Sequence, residues 1–194
     1  MKFVLATANP GKIKEMREIL DAFNFDVVSR DDLGINMEVE ETGSTFLENS
    51  LLKARALCEA TGLPAISDDS GLVVFALDGE PGVYSSSYGG SKLSDSERCA
   101  YLLSKLEDFE QKTAKFVCTI VCYFPDGTYT VAEGECLGEI TQTPRGKNGF
   151  GYDPIFLVDG LSKTMAELSA DEKNKVSHRG NALREFVLQM RGKI

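Results

Sequence analysis

The chain has 194 residues, of which 42% are hydrophobic and 26% are charged, and its formal net charge is −9. This composition is that of an ordinary globular protein and excludes a disordered chain. The negative charge argues against nucleic acid and anionic membranes as partners, because both are bound by dense lysine and arginine patches. An anionic substrate would therefore need a local cluster of cations.

The first apolar run, over residues 2–7, predicts a β-strand, since neither it nor any later run is long enough for a signal peptide or a membrane span. The cysteines form no C-x-x-C pair and lie within apolar periodic stretches, which is typical of reduced core thiols. They are Cys58, Cys99, Cys118, Cys122 and Cys136. Together these features predict a cytoplasmic protein in a reducing compartment.

A helix is predicted directly after the first strand. Asn9 suits its N-cap and Pro10 its first position, and apolar residues then recur at helical spacing. The amides of Gly11, Lys12 and Ile13 are expected to be free and to point outward at the helix start. Free amides, the helix dipole and the lysine charge would together favour an anion such as phosphate. The same segment is also compatible with an ordinary helix cap.

Two capping boxes, Thr45 with Glu48 and Ser94 with Glu97, predict a second and a third helix. The apolar face predicted for the second helix consists of Leu47, Leu51, Ala54 and Cys58. Lys53 falls off this face and is predicted to be exposed, so a functional role for it requires this helix to line the site. The third helix carries an apolar stripe that is interpreted as structural.

The adjacent carboxylates of Asp68 and Asp69 follow the apolar residues 63–66 and are predicted to lie at the end of a strand. One or two carboxylates are enough protein ligation for Mg²⁺, and side chains alternate along a strand, so only one of the two needs to face the ion. One of Glu38, Glu40 and Glu41, an acidic run that could also be a solvated loop, could complete such a site with Asp69. Because Asp, Ser and Gly are turn formers, the same segment could instead mark a simple turn.

The middle of the chain predicts a β-hairpin, because the apolar residues 116–124 are followed by a Pro-Asp-Gly turn and a second short strand. Later, Phe150 to Asp153 offer two aromatic rings and a carboxylate around a glycine, which suits either base binding or an aromatic loop packed on the sheet. The only histidine, His178, and Arg179 lie at the predicted start of the last helix. Strands and helices in this mixed order predict an α/β fold.

As a set, these motifs resemble the inosine/xanthosine triphosphate pyrophosphatases, and the resemblance covers essentially the whole chain. The matching segments are Thr7-Ala8-Asn9-Pro10-Gly11-Lys12, Glu41-Thr42-Gly43, Phe46-x-x-Asn49-x-x-x-Lys53-Ala54, Ser67-Asp68-Asp69-Ser70-Gly71, Phe150-Gly151-Tyr152-Asp153-Pro154 and Ser177-His178-Arg179-Gly180. The resemblance implies a single nucleotide pyrophosphatase domain over residues 1–194, with an elongated mixed sheet flanked by helices and two lobes around a central active-site cleft. It also implies a homodimer.

The activity that the resemblance implies is the Mg²⁺-dependent hydrolysis of noncanonical purine nucleoside triphosphates (ITP, dITP and XTP) to the monophosphate and pyrophosphate, which cleanses the nucleotide pool. By similarity, Asp69 would be the general base and would hold the metal together with Glu41. Lys12, Lys53 and Lys173 would neutralise the triphosphate. Phe150 would stack on the base, and the residues implied to read its edge are Asp153, His178 and Arg179. The remaining substrate-binding residues implied are Thr7, Ala8, Asn9, Pro10, Gly11, Ser70, Gly151 and Tyr152.

Two other functions stay open from the sequence. The first is a pyrophosphatase of similar architecture that acts on modified pyrimidine nucleotides such as dUTP, which would share the phosphate chemistry and differ in the base pocket. The second is a nucleotide-binding regulator without turnover. The joint presence of Glu41, Lys53 and Asp69 argues against the second function.

Overall fold

The computed structural model describes residues 1–191, in which six strands form one mixed sheet and five α-helices accompany it. The strands are β1 (Lys2–Leu5), β2 (Asp26–Ser29), β3 (Ala65–Val74), β4 (Thr113–Tyr123), β5 (Tyr129–Ile140) and β6 (Phe156–Val158). The helices are α1 (Pro10–Asp21), α2 (Phe46–Thr61), α3 (Asp95–Lys105), α4 (Ala170–Val176) and α5 (His178–Met190). The predicted α/β class is confirmed.

The strand order in the sheet is β2-β1-β3-β4-β5-β6. β1 is parallel to both of its neighbours, with Val4 opposite Val28 on one side and Ala65 on the other, whereas β5 and β6 are antiparallel. Parallel neighbours need a crossover connection, and α1 and α2 lie in the connections from β1 to β2 and from β2 to β3. The parallel part of the sheet therefore follows from the strand–helix alternation at the start of the chain.

The predicted hairpin is confirmed by β4 and β5, which are sheet neighbours joined by residues 124–128. In this turn the Phe124 N–H donates to the Thr128 carbonyl at 2.9 Å, and Gly127 has a φ of 86°, which glycine adopts without strain. Both strands are longer than the apolar runs that predict them. β5 alternates between buried and exposed residues along most of its length, as a strand with one covered face does.

The helix starts agree with the sequence, and the buried face of α2 agrees with it in part. Both predicted capping boxes are present, at Thr45 and at Ser94. Ala54 and Cys58 are buried as predicted, but Leu47 is 38% exposed, and the first half of the helix buries Asn49 and Ser50 instead. Helical-wheel reasoning assumes that the inward face is apolar, and in the first half of α2 polar residues occupy that face.

The chain divides into two compact units. The first comprises Met1–Asp69, Cys118–Gly134 and the chain from Arg179 onward; the second comprises Ser70–Val117 and Glu135–His178. The main core of the first unit includes Phe3, Leu5, Met16, Leu20, Ile66 and Phe186, and the core of the second includes Leu72, Leu102, Phe116, Ile155 and Phe156. The predicted elongated form, cleft and homodimer stay predictions.

The five cysteines are reduced and buried, as the sequence predicts for core thiols. Burial raises the pKa of the Cys99 and Cys136 thiols to about 11 each, which keeps them protonated and unreactive at neutral pH. The helices in the described part of the chain are too short or too polar to span a bilayer.

Candidate active site

The turn between β1 and α1 contains a capped helix start with Lys12 in its first turn. Asn9 Oδ1 accepts hydrogen bonds from the N–H groups of Gly11 at 2.9 Å and Lys12 at 3.2 Å, and the Ile13 N–H donates to the Asn9 carbonyl. The prediction that these three amides are free for an anion is therefore wrong, because the N-cap residue itself takes them up. What this turn offers an anion is the charge of Lys12. Thr7, Ala8 and Pro10 complete the turn, and Thr7 Oγ1 accepts from the Asn9 N–H at 3.2 Å.

Asp68 and Asp69 lie in the middle of β3 and not at its end. The strand continues through the buried residues Leu72 and Val74, so both the predicted strand end and the alternative of a simple turn are wrong. Side chains alternate along a strand, and accordingly the two carboxylates have different principal partners. Asp68 is fully buried, and Asp69 is 6% exposed. Two adjacent residues thus enter two separate charge clusters.

Asp68 belongs to a buried ion network that also contains Glu15, a residue that no sequence motif indicates. Asp68 Oδ2 lies 3.1 Å from Lys12 Nζ and accepts hydrogen bonds from Arg179 Nε at 3.1 Å and Nη2 at 2.8 Å. Arg179 Nη1 donates to Glu15 Oε2 at 2.6 Å. The guanidinium is directed at two carboxylates, so the role of Arg179 in reading a purine edge stays a prediction.

This network keeps Asp68 ionised. Burial by itself would raise the pKa of Asp68, but the charges of Lys12, Arg179 and Lys53 outweigh it and hold that pKa far below its usual range. Burial also opposes the charge of Arg179, yet Asp68 and Glu15 raise the pKa of the guanidinium above its ordinary value. Asp68 is therefore a permanent anion that anchors Lys12, and it is a poor proton acceptor.

Asp69 belongs to a second cluster with Lys53 and Glu41. Lys53 Nζ lies 3.0 Å from Asp69 Oδ1 and 3.0 Å from Glu41 Oε1. The Lys53 side chain is only 12% exposed, so the prediction of an exposed lysine is wrong. The Lys53 ammonium is shielded from solvent because the polar face of α2 lies toward these carboxylates.

Asp69 and Asp68 differ in basicity although they are neighbours. Burial raises the pKa of Asp69, and the charges of Lys53 and Lys12 only partly offset that rise. Lys53 is itself buried, which would lower its pKa, but Asp69, Asp68 and Glu41 raise it and keep the ammonium charged. Paired carboxylates whose pKa values are pushed apart are typical of sites where one residue is a general base and the other an electrostatic anchor.

The carboxylates of Glu41 and Asp69 fit a magnesium ion. Both approach the same cation, Lys53 Nζ, and Asp69 Oδ2 is buried without a hydrogen-bond partner in the described part of the chain. Magnesium takes oxygen ligands and usually keeps several waters or phosphate oxygens beside one or two carboxylates. Within residues 1–191 no group of three or more His, Cys, Asp or Glu side chains could hold a metal. The pair is therefore suited to a metal that arrives with a phosphate ligand.

Asn49 fastens the segment that carries Glu41 to α2, the helix that carries Lys53. The Gly43 N–H donates to Asn49 Oδ1 at 2.8 Å, and Asn49 is buried. A Cβ atom on residue 43 would lie 2.6 Å from Asn49 Oδ1 and 2.6 Å from the Cβ of Glu48. Only glycine allows this approach, which brings the Glu41 carboxylate within reach of Lys53.

Gly43→Ala is expected to lower the free energy of unfolding by about 1–3 kcal/mol, because the added methyl group must displace Asn49 or the segment itself. Urea denaturation measures the effect. Glu38→Ala, an exposed change in the same segment, is the control and should stay within about 0.5 kcal/mol of the unaltered protein. A Gly43→Ala protein as stable as this control would show that the close approach is not required.

A third group, within the second unit, contains Phe150, Asp153 and Lys173. Lys173 Nζ lies 2.5 Å from Asp153 Oδ2 and 4.8 Å from the centroid of the Phe150 ring, and the Phe150 N–H donates to Asp153 Oδ2 at 3.0 Å. Asp153 and Lys173 are both buried. Lys173 thus lies beside Phe150 and Asp153, the residues predicted to bind the base. Its predicted role is instead to neutralise the triphosphate, and that role does not anticipate this position.

Glycine is required beside this group. At Gly149 the φ is 75°, and a Cβ atom there would lie 1.9 Å from Asp153 Oδ2 and 3.1 Å from Lys173 Nζ. The Asp153 carboxylate therefore packs directly against the backbone of residue 149. This close approach explains why a glycine occupies position 149.

The remaining predicted residues are packed into the same unit. His178 stacks on Phe116, with ring centroids 4.7 Å apart and planes at 15°. The Tyr152 hydroxyl donates to the Ser85 carbonyl at 2.9 Å, and burial raises the pKa of this tyrosine above its ordinary value. Ser70 is half-buried in β3. Substrate contacts of these residues stay predictions.

Comparisons with known proteins agree over nearly the full chain. A family model described as the Ham1 family matches residues 3–189. The chain is 50% identical to a dITP/XTP pyrophosphatase of Thermus thermophilus over 189 residues, which cover 96% of this chain and 90% of that protein. Solved structures of Ham1 proteins from Staphylococcus aureus and Coxiella burnetii match with TM-scores of 0.89 and 0.90, at 43% and 42% identity, and cover 100% and 99% of both chains.

Proposed function

The chain belongs to the Ham1 family, and we propose that it hydrolyses noncanonical purine nucleoside triphosphates such as dITP, ITP and XTP to the monophosphate and pyrophosphate. Membership in this family confirms the resemblance that the motifs indicate. The observation that carries the proposal is the Asp69 carboxylate, which is buried beside Lys53 and Glu41 and has a raised pKa. It occurs in a chain that is 50% identical to a protein named dITP/XTP pyrophosphatase.

In the proposed reaction Asp69 acts as the general base. It orients a water molecule and takes a proton from it as the water oxygen forms a bond to the α-phosphorus. The bond from the α-phosphorus to the bridging oxygen breaks, and pyrophosphate leaves with that oxygen. An ordinary carboxylate is a weak base at neutral pH, so the rise of the Asp69 pKa by burial brings it closer to the operating pH. Asp68, held ionised by its buried network, does not compete for this proton.

Positive charge for the triphosphate comes from Lys12 and Lys53. Lys12 is aimed by Asp68 at 3.1 Å, and Lys53 stays protonated because the three neighbouring carboxylates raise its pKa. Glu41 and Asp69 would hold Mg²⁺, which when bound neutralises phosphate oxygens and polarises the bond to be broken. These cations account for the binding of a polyanion by a protein with a net charge of −9.

Selection of the base is proposed to rest on Phe150, Asp153 and Lys173. Phe150 stacks on the purine, Asp153 accepts a hydrogen bond from a ring N–H, and Lys173 donates to a keto oxygen. Hypoxanthine and xanthine carry a 6-keto group, which accepts a hydrogen bond, whereas adenine has an amino group there and cannot accept one from Lys173. The predicted contribution of His178 at the base edge belongs to the same proposal.

Phe150→Ala is expected to raise KM for dITP by about tenfold, because base–aromatic stacking contributes about 1–3 kcal/mol per base. The binding of free pyrophosphate should not change, since pyrophosphate has no base to stack. Steady-state kinetics and pyrophosphate inhibition measure the two quantities. Equal weakening of dITP and pyrophosphate binding would contradict the stacking role.

The test of the function is to incubate the purified protein with Mg²⁺ and dITP, ITP, XTP, GTP, ATP or dUTP and to identify the phosphorus products. We expect pyrophosphate and the monophosphate from dITP, ITP and XTP, little turnover of the others, and loss of turnover with EDTA. Orthophosphate with a diphosphate would mean attack at the γ-phosphorus. Faster hydrolysis of dUTP would favour the pyrimidine alternative, and no turnover would favour the regulator.

We also propose that the enzyme acts in the cytoplasm as a homodimer. The five buried, reduced cysteines fit a reducing compartment, and the family resemblance implies the dimer. Size-exclusion chromatography with light scattering measures the mass of the protein in solution. The mass of a single chain at the concentration of the assay would contradict the dimer.

A further inference from the structure

The first turn of α3 holds the backbone of Gly151, in the middle of the Phe150–Asp153 turn. Asp95 Oδ2 accepts a hydrogen bond from the Gly151 N–H at 2.7 Å, and Cys99 Sγ donates to the Gly151 carbonyl at 3.4 Å. Asp95 and Cys99 are four residues apart and lie on one face of the helix. Both polar groups of this one peptide position are therefore bound by α3.

The Asp95 carboxylate is itself oriented. Arg98 Nη1 donates to Asp95 Oδ1 at 3.2 Å, while Arg98 Nη2 donates to the Leu93 carbonyl at 2.8 Å. Arg98 is 7% exposed, so this donor is fixed by its surroundings. One oxygen of Asp95 is thus held by a buried arginine and the other binds Gly151, which makes Asp95 a defined acceptor although much of its side chain is in solvent.

Two successive backbone N–H groups of the turn donate hydrogen bonds to carboxylates. The Phe150 N–H donates to Asp153 Oδ2, and the Gly151 N–H donates to Asp95 Oδ2. Gly151 has a φ of 61° and no atom within 4 Å of the position where a Cβ would be, so no side chain of its own steadies it. The peptide that follows Phe150 is held at its carbonyl by the Asp153 N–H at 3.3 Å and at its N–H by Asp95, so Asp95 is the side chain that fixes the N–H end of this peptide.

We propose that Asp95 is a positioning residue for the purine base, which acts by holding Gly151 so that the Phe150 ring is set before the substrate arrives. This inference rests on the proposed function of Phe150. Preorganised groups bind a ligand more tightly because they lose little conformational entropy when the ligand binds. The effect falls on recognition of the base and not on the phosphate chemistry, since Asp95 touches neither Lys12 nor the Asp69 cluster in the hydrogen bonds and ion pairs of residues 1–191.

The test compares three variants in steady-state hydrolysis of dITP. Asp95→Ala is expected to raise KM by about tenfold and to change kcat by less than about twofold, because a hydrogen bond to a charged group is lost. Asp95→Asn keeps an acceptor oxygen for the Gly151 N–H and should return KM to within about threefold. Glu97→Ala removes the capping box of the same helix but no contact with Gly151, so KM should match that of the unaltered protein.

Pyrophosphate inhibition is the second measurement, and its constant should be the same in all four proteins because pyrophosphate lacks a base. An unchanged KM in Asp95→Ala would overturn the inference, as would a KM raised equally by Glu97→Ala, which would reveal a mere loss of helix stability. Failure of the unaltered protein to hydrolyse dITP would overturn the proposed function itself. Turnover of dITP with no response to Asp95→Ala would overturn the positioning role alone.

Discussion

Asp69→Asn is expected to lower kcat for dITP by about 10²- to 10⁴-fold, which is the usual contribution of a positioned general base. Asparagine keeps the shape of the side chain and one oxygen near Lys53 Nζ, but it cannot accept a proton at neutral pH. KM should change less than kcat, because both lysines proposed to bind the triphosphate remain in place and Lys53 keeps its ion pair with Glu41. Steady-state and single-turnover measurements separate the two effects.

The control for this variant is Asp159→Asn, an exposed substitution of the same type, which should keep full activity. Thermal unfolding should show that Asp69→Asn folds normally. The neutral side chain relieves burial of a charge whose pKa is already raised, so no loss of stability is expected from desolvation. Full activity in Asp69→Asn would remove this residue from the mechanism.

Arg179→Ala is expected to lower the free energy of unfolding by about 3–5 kcal/mol, because it leaves buried carboxylates without their shared cation. Arg179 is 1% exposed and binds both Asp68, which is fully buried, and Glu15, which is 9% exposed, so both carboxylates would recover little hydration. Urea denaturation at neutral pH measures the loss. Arg179→Met, which keeps more of the side-chain volume, separates the lost charge from the cavity.

Adding Glu15→Gln to Arg179→Met should recover part of the stability, since the double variant leaves one buried charge fewer unpaired. No recovery would show that Glu15 and Arg179 are not coupled. A stable Arg179→Ala protein that folds normally and instead loses its preference for keto purines would support the base-reading role that the family resemblance implies for Arg179.

Local features of the fold can be predicted from the sequence because they depend on neighbouring residues. Asn9 with Pro10, Thr45 with Glu48 and the Pro-Asp-Gly turn each fix their own geometry, and all three lie where they are expected. The same locality explains an error. Asn9 is recognised as the N-cap that starts α1, but its side chain is also the hydrogen-bond acceptor for the first amides of the helix. Neglecting this second role leads to the wrong prediction that those amides are free.

Contacts between distant segments cannot be predicted in this way. Glu15 and Arg179 are 164 positions apart, and no spacing rule relates them. Helical periodicity assigns Lys53 and Asn49 to the outer surface of α2 because it counts only apolar residues as core-facing. The residue types of Asp68 and Asp69 favour turns, yet their ion partners stabilise them within a strand. In each case a polar residue occupies an inward position that pattern reasoning reserves for apolar ones.

The position of Asp68 and Asp69 inside β3 has a consequence for how this protein can change in evolution. The face of a strand on which a residue lies is set by whether its position is odd or even, so one residue inserted or deleted within β3 before position 68 would exchange the two faces. The permanent anion would then stand where the base belongs, and the base would enter the ion network. At positions of β3 other than Asp68 and Asp69 single substitutions leave this alternation intact, whereas a length change does not, so lineages should vary the composition of β3 at those positions while keeping its residue count.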